Sequence, residues 1–297
     1  MQNDNLRGIA FLIGAMALFA TTDACVQLAA QSLPKGQVLA TMGAGGALIF
    51  AVMTRARGHR IIAPDLLAWP TMLRNLMEIV ATFSFATALM TVGISLASAV
   101  IQAVPLAVTF AAIVLLREPV GWRRWGAILV GFVGVLVILR PGMNGFDINA
   151  LWAVAAMVAL ALRDVSTRLM PGTTPSPRIA FYGMATLALA GAVHMALVEG
   201  PHMPDTPTLA IQAGTIGFGA LGYLLMISAM RTGEISVVAP FRYTRIIFAL
   251  AIGAAVFGDR PDAMTYLGCA ITVAAGLYAF LREARTVRRP TRKGAPT

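Results

Sequence analysis

The run Arg123-Arg124-Trp125-Gly126-Ala127-Ile128-Leu129-Val130-Gly131-Phe132-Val133-Gly134-Val135-Leu136-Val137-Ile138-Leu139-Arg140 decides how the whole chain is read. No ionisable side chain lies between Arg124 and Arg140. At about 1.5 Å per residue, a helix of this length nearly crosses the ~30 Å hydrocarbon core of a bilayer. Comparable runs bounded by Pro, Gly and charge occur near 8–29, 37–54, 69–91 and 96–116, and again near 149–169, 178–198, 209–230, 235–257 and 263–282. The stretch 155–168 is the weakest, because Arg163, Asp164 and Arg168 lie within it. Composition agrees: 58% of the 297 residues are hydrophobic and 12% charged, whereas about a quarter are charged in soluble domains, which must present a solvated surface. The expected class is an all-α integral membrane protein with ten transmembrane helices.

A formal net charge of +10 would suggest nucleic acid as partner in a soluble protein. In a membrane chain it has another cause, because Lys and Arg collect in cytoplasmic loops. With a cytoplasmic N-terminus, only Lys35, Arg140 and Arg260 of the 23 Lys and Arg fall in outside loops. The acidic segments around Asp147, 199–205 and 259–262 go outside as well. Both termini are therefore expected in the cytoplasm, with the lipid bilayer and not nucleic acid as partner. The first apolar run reads as a retained helix and not a removable signal, since many similar runs follow it. Cys25 and Cys269 fall inside spans, so no disulfide framework is implied. His59, His194 and His202 lack ligand-like spacing, and no His-Glu-x-x-His, P-loop or Gly-x-Ser-x-Gly occurs. No catalytic residue, metal or cofactor is expected.

The chain echoes itself at a nearly fixed offset. Asp23 and Asp164, Pro34 and Pro175, and Glu118 and Asp259 each lie 141 positions apart. Gly93 and Gly233 lie 140 apart, and Gly126/Gly268 and Gly134/Gly276 lie 142 apart. Each half holds an odd number of spans, so the second enters the membrane upside down relative to the first. The expected organisation is a first repeat over 1–145, a second inverted repeat over 146–283 and a basic cytoplasmic tail over 284–297. Inverted repeats are a carrier architecture, with a site near the midplane that rocking exposes to each side in turn.

The segments Ala97-Ser98-Ala99-Val100-Ile101-Gln102-Ala103-Val104-Pro105-Leu106, Leu116-Arg117-Glu118-Pro119 and the Gly-rich run from Gly126 to Leu136 resemble the EamA-type members of the drug/metabolite transporter superfamily. The second half repeats the theme in Val237-Val238-Ala239-Pro240-Phe241-Arg242-Tyr243, in Phe257-Gly258-Asp259-Arg260-Pro261 and from Gly268 to Gly276. The position matching Glu118 is Asp259, a conservative change at a helix end. The resemblance covers essentially the whole chain and implies a ten-helix inverted-repeat carrier, commonly an exporter of amino acids or related metabolites. Vitamin and nucleotide-sugar carriers share the fold.

Ionisable groups within spans are costly, so they face a cavity or a partner. Asp23 could attract a substrate amine or carry a proton; it could also cap the outer end of its helix or pair with a cation. Arg74 and Glu78, four apart, share a face and suit an intrahelical pair, with a cytoplasmic gate as the other reading. Arg163 and Asp164 are adjacent, about 100° apart, so at most one faces the interior comfortably; an anchor at the inner boundary is the plainer role. Arg242 and Arg245 could bind a substrate carboxylate through the guanidinium fork or hold the cytoplasmic interface.

Pro105 and Pro240 lie in helices that the resemblance places opposite each other, as packing kinks or as hinges lining a cavity. Gln102 shares the face of Pro105. Phe83 and Tyr223, 140 apart, and Tyr243 are candidate cavity aromatics beside their ordinary role in packing. Gly268, Thr272 and Gly276 form a small-residue stripe that lets helices approach, within the fold or across a homodimer.

The function expected from the resemblance is export of amino acids or similar metabolites across a bacterial inner membrane by alternating access, driven by a gradient of substrate or ion. Import of a vitamin or other nutrient is the alternative. An intramembrane enzyme or scaffold is more distant, since no catalytic cluster is evident.

Overall fold

The computed structural model describes residues 2–117, 121–141, 147–171, 173–232 and 235–287. Glu118, Gly233 and the end of the basic tail lie outside these residues. The first span is α1 (Gln2–Ala29) and the second α2 (Lys35–Ala56); α3 (Trp69–Ile101) and α4 (Val104–Leu116) make the third and fourth. The fifth to eighth are α5 (Trp122–Leu139), α6 (Ala150–Arg168), α7 (Ser176–His194) and α8 (Thr206–Thr232). The ninth is composite: α9 (Ile235–Val238), a 3-10 segment (Ala239–Thr244), α10 (Arg245–Ile252) and a π segment (Gly253–Phe257). The tenth is α11 (Ala263–Val287), so Ala284 to Val287, assigned to the tail, are helical. Among the described residues nine helical stretches are long and apolar enough to cross a membrane, and Val104–Leu116 is a shorter apolar helix.

Prolines set the helix starts. Pro34 and Pro175, the pair 141 apart, are the N-cap residues of α2 and α7, with extended backbones (φ −56°, ψ 141° and φ −66°, ψ 135°). Their fixed φ and missing N–H suit a first turn, where the donor would have no helical partner. Gly93 does different work. At φ 79° and ψ 166° it adopts a backbone that a side chain disfavours, and it folds α3 back without a loop, so the fourth span begins directly after the third. The apolar runs 69–91 and 96–116 part around this residue, but they do not show that the join needs no loop.

The fourth and ninth spans are also interrupted, at the two prolines read from the sequence as kinks or hinges. Pro105 cannot donate to Ile101 and its ring crowds that carbonyl. The helix therefore tightens to i−3 bonds, Gln102 N–H to Ala99 O at 3.3 Å and Ala103 N–H to Val100 O at 3.1 Å, and α4 restarts with Ala107 N–H to Ala103 O at 2.9 Å. Pro240 imposes the 3-10 segment in the same way. The two prolines are 135 apart and not 141, so they are not equivalents in register. The interruptions nevertheless overlap, because Gln102 and Tyr243 differ by 141.

Packing follows the two-fold pattern. The second span packs on the seventh and the fifth on the tenth, which are the repeat-related pairs. The third packs on the sixth and the first on the eighth, which exchange when the halves are swapped; so do the fourth on the sixth and the ninth on the first. A residue on a two-fold axis meets its own counterpart. Gln102 Nε2 donates to Tyr243 O at 2.9 Å and Thr272 Oγ1 to Gly131 O at 3.3 Å, and both pairs are 141 apart. The protein is thus ten transmembrane helices arranged as two inverted five-helix repeats.

Small residues bring the helices together. A Cβ on Gly191 would lie 2.8 Å from Gly36 O and 2.9 Å from Ala40 Cα, so α2 and α7 touch backbone to backbone. Gly268 and Thr272 meet Gly134, and Gly276 lies under the Tyr243 ring, so the small-residue stripe is used inside the chain. Large apolar side chains such as Leu48, Leu129, Leu189 and Ile247 are exposed and clothe the outside, as lipid requires. Gly191→Val should cost about 2–3 kcal/mol through overpacking, read as earlier thermal unfolding in detergent. A melting point equal to the parent's would refute the α2–α7 contact.

Candidate functional site

Three sets of polar residues lie along the inner faces. The first is at mid-depth. Arg245 opens α10 ten positions after the ninth span begins, about 15 Å along a helix and so half-way across the core. Its Nη2 donates to Asp23 Oδ2 of α1 at 2.6 Å. The guanidinium lies 6.0 Å from the Phe19 ring centroid and 5.8 Å from that of Phe85, a cation–π arrangement. Phe19 stands one helical turn before Asp23, so ring and carboxylate share a face. Asp23 is buried, but 23% of the Arg245 side chain is accessible, and Arg245 Nε is buried with no hydrogen-bond partner among the described residues. Of the alternatives for Asp23, pairing with a cation is the one seen. Arg245 does not hold an interface, because the Asp23 carboxylate draws it inward; Arg242, three positions earlier, is exposed and does not join it.

The second set lies toward the face from which α1 starts. Arg74 Nη2 pairs with Glu78 Oε2 at 2.8 Å, the intrahelical pair expected from spacing. Arg163 Nη1 reaches Glu78 Oε1 at 3.3 Å, while its Nη2 holds Asp164 Oδ1 at 2.8 Å. Adjacent residues were expected to diverge, leaving one at a boundary. The long Arg163 side chain instead bridges both carboxylates, and α3 is tied to α6. The Arg74 guanidinium fills the space over Gly183 of α7 and donates to Asn75 Oδ1 at 3.2 Å. Tyr223 stands at the same end, edge-on to Phe50 at 4.7 Å, its hydroxyl donating to Ser176 O at 3.2 Å. Outside the spans, Asp65 accepts from Tyr182, Thr174 and Arg178 at 2.9, 3.1 and 3.2 Å and pins the loop after α2 onto α7.

The third set closes the opposite end. Lys35 Nζ donates to Thr87 Oγ1 at 3.0 Å and lies 5.9 Å from the Phe83 ring, which packs on His194 at 5.4 Å. Glu199 Oε2 accepts the Gly36 N–H at 2.7 Å and sits 3.4 Å from His194 Nδ1. Asp259 Oδ2 accepts the Ser95 N–H at 3.1 Å, so this helix-end carboxylate caps the start of the fourth span. Arg140, past the end of α5, pairs with Asp262 before α11. Phe83 and Tyr223 are therefore not neighbours: inversion carries them to opposite ends of the bundle.

The structure brings together Asp23 with Arg245, Arg74 with Glu78 and Asp164, and Gln102 with Tyr243. Pro105 and Pro240 stand at the interruptions beside that last bond. Sequence reasoning passed over Phe19, Phe85, Lys35 and His194, and placed Arg163 at a boundary. The i, i+4 relation of Phe19 to Asp23 was the available signal. Tyr243 Oη is buried without a hydrogen-bond partner among the described residues.

With this geometry in place, the chain can be set beside known proteins. It matches the EamA-like transporter family twice, over residues 6–140 and 148–281. It is 25% identical to an S-adenosylmethionine uptake transporter of Rickettsia bellii, over 73% of this chain and 74% of that one. It is 26% identical to a riboflavin transporter of Rhizobium johnstonii, over 75% and 73%, and 29% identical to a riboflavin transporter of Vibrio cholerae, over 64% of each. A solved crystal structure superposes with a TM-score of 0.63 over 94% of this chain and 99% of the other, at 21% identity, a likeness of fold.

Among the described residues Glu78 is the one carboxylate that holds both Arg74 and Arg163. Glu78→Gln leaves buried cations under-compensated and should cost about 3 kcal/mol or more; thermal unfolding in detergent measures it, and a shift within error would refute the tie. Asp65 titrates below its ordinary 3.8: burial works against this, but the hydrogen bonds from Tyr182, Thr174 and Arg178 outweigh it. A carboxylate held low stabilises the fold above about pH 4 and loses that contribution as pH falls through its folded value. Asp65→Asn should therefore lower the melting temperature at pH 7, with the difference closing below about pH 4.

Proposed function

We propose that this chain, which belongs to the EamA-like transporter family, is a secondary carrier that brings a small organic nutrient into a bacterium across its inner membrane. The observation that carries the reading is the partly accessible Asp23–Arg245 pair between two aromatic rings at mid-depth, with bonded sets of side chains on either side of it. Alternating access needs such a central site and two closures that open in turn.

The relatives favour uptake over amino-acid export, the expectation with which the resemblance began. One group is named for S-adenosylmethionine uptake and another for riboflavin; both cargoes join a heteroaromatic ring system to a polar chain. Phe19 and Phe85 offer ring faces for the first part, and Asp23 and Arg245 polar partners for the second. We divide the chain into repeats over 1–145 and 146–283, with the termini in the cytoplasm as the Lys and Arg distribution requires. The Arg74–Glu78–Arg163–Asp164 set then guards the cytoplasmic side, and the Lys35–His194–Glu199 set the outer side. Gln102 and Tyr243, with the interruptions at Pro105 and Pro240, form the hinge between them. The chemistry asked of the protein is binding and passage, with no bond made or broken.

Cells lacking their own uptake systems and expressing this chain should accumulate labelled S-adenosylmethionine or riboflavin about tenfold above vector controls. A riboflavin auxotroph should grow at low external vitamin if riboflavin is the cargo. No accumulation of either, together with faster loss of preloaded amino acids, would overturn uptake in favour of export.

A further inference from the structure

The ion pairs inside the bundle are not alike. Glu78 holds two arginines and Arg163 holds two carboxylates, so opening any one contact leaves each of these charges a second partner. The loop carboxylate Asp65 is fixed by three donors. The Asp23–Arg245 pair has one contact, 2.6 Å long. The guanidinium fork is half used, with Nε buried and without a hydrogen-bond partner among the described residues, and the cation is partly accessible at 23%. A buried ion pair is weak as a device for stability, because apolar residues of similar size do as well or better. This pair is built to exchange partners.

We propose that Asp23 and Arg245 bind the α-amino acid head of a zwitterionic metabolite, Arg245 taking its carboxylate through Nε and Nη2 and Asp23 taking its ammonium. The inference rests on the carrier reading for the head belonging to a cargo. In the empty site the two protein charges neutralise each other. A zwitterion replaces one pair by two, so no net charge is left bare in the membrane. A ligand lacking either half leaves Asp23 or Arg245 uncompensated on one side, the condition under which buried polar sites discriminate most strongly. Phe19 and Phe85 approach the guanidinium through their ring faces and take none of its N–H donors. Of the two cargo types named for relatives, S-adenosylmethionine carries such a head and riboflavin does not.

The test uses the unaltered chain first. Purified protein is heated with S-adenosylmethionine, S-adenosylhomocysteine, L-methionine, decarboxylated S-adenosylmethionine, 5′-methylthioadenosine and riboflavin, and the same compounds compete for uptake in proteoliposomes. The first three should raise the melting temperature and compete, and the three lacking an intact head should do so at least about tenfold more weakly. Arg245→Lys, which keeps the charge but loses the fork, should raise the half-effective concentration of S-adenosylhomocysteine at least about tenfold without changing the melting temperature of the empty protein by much. Equal effects from compounds with and without the head, or riboflavin alone acting, would overturn the proposal. Stabilisation by the headed compounds with no inward transport of any compound would leave the site standing and overturn the uptake reading instead.

Discussion

Two hydrogen bonds mark the line on which the fold turns. Gln102 reaches the carbonyl of Tyr243 and Thr272 that of Gly131, in each case a residue bonding to its counterpart in the other half. A repeat of five spans must return inverted, and two such repeats bury their interiors only by packing around a common two-fold axis. The α2–α7 and α5–α11 crossings lie on it, which is why glycines concentrate there: the same face must approach itself, and a side chain would enter twice. The interruptions of the fourth and ninth spans fall beside the axis too, where a neighbouring helix can satisfy a backbone that proline has disturbed.

On this symmetric frame the charges are not symmetric. Asp23 and Asp164 are equivalents, yet Asp23 takes a cation from the other half at mid-depth while Asp164 takes its own neighbour, Arg163, within a four-residue set near one face. The scaffold supplies two interchangeable halves, and the polar residues decide which end is fastened more tightly. The four-residue set fastens one end with shared charges, whereas the other is held by separate contacts, Lys35 on Thr87, Glu199 on a backbone N–H and Arg140 on Asp262.

Much of the fold was legible in the sequence because lipid simplifies the code. Apolar runs long enough to span mark helices, and the 141-residue offset is visible without any structure. The break around Gly93 and the kinks at Pro105 and Pro240 were legible as places. What could not be read was their form: Gly93 turns the chain with no loop, and Pro240 converts its turn to 3-10, neither of which changes hydropathy. The site was legible in part. Arg74 with Glu78 follows from spacing alone. Asp23 with Arg245 lies 222 positions apart and needs the packing of α10 on α1. The double contact of Arg163 was not legible because residue spacing gives the direction of a Cβ and not the reach of a long side chain.

The length of that Asp23–Arg245 connection bears on how the protein is made. Ribosomes deliver α1 to the bilayer long before the ninth span exists, so Asp23 enters without the cation that will neutralise it. On insertion scales such a carboxylate costs about 2.5–3.5 kcal/mol at the helix centre. Glu78 is in a different position, since Arg74 precedes it in the same helix and enters the membrane with it. The first helix is thus held during synthesis by its apolar length alone, and the nascent chain keeps one site unsettled until α10 arrives. Quality control that senses exposed polar groups in the membrane would have a single late event to watch, and truncation anywhere before Arg245 leaves that event undone.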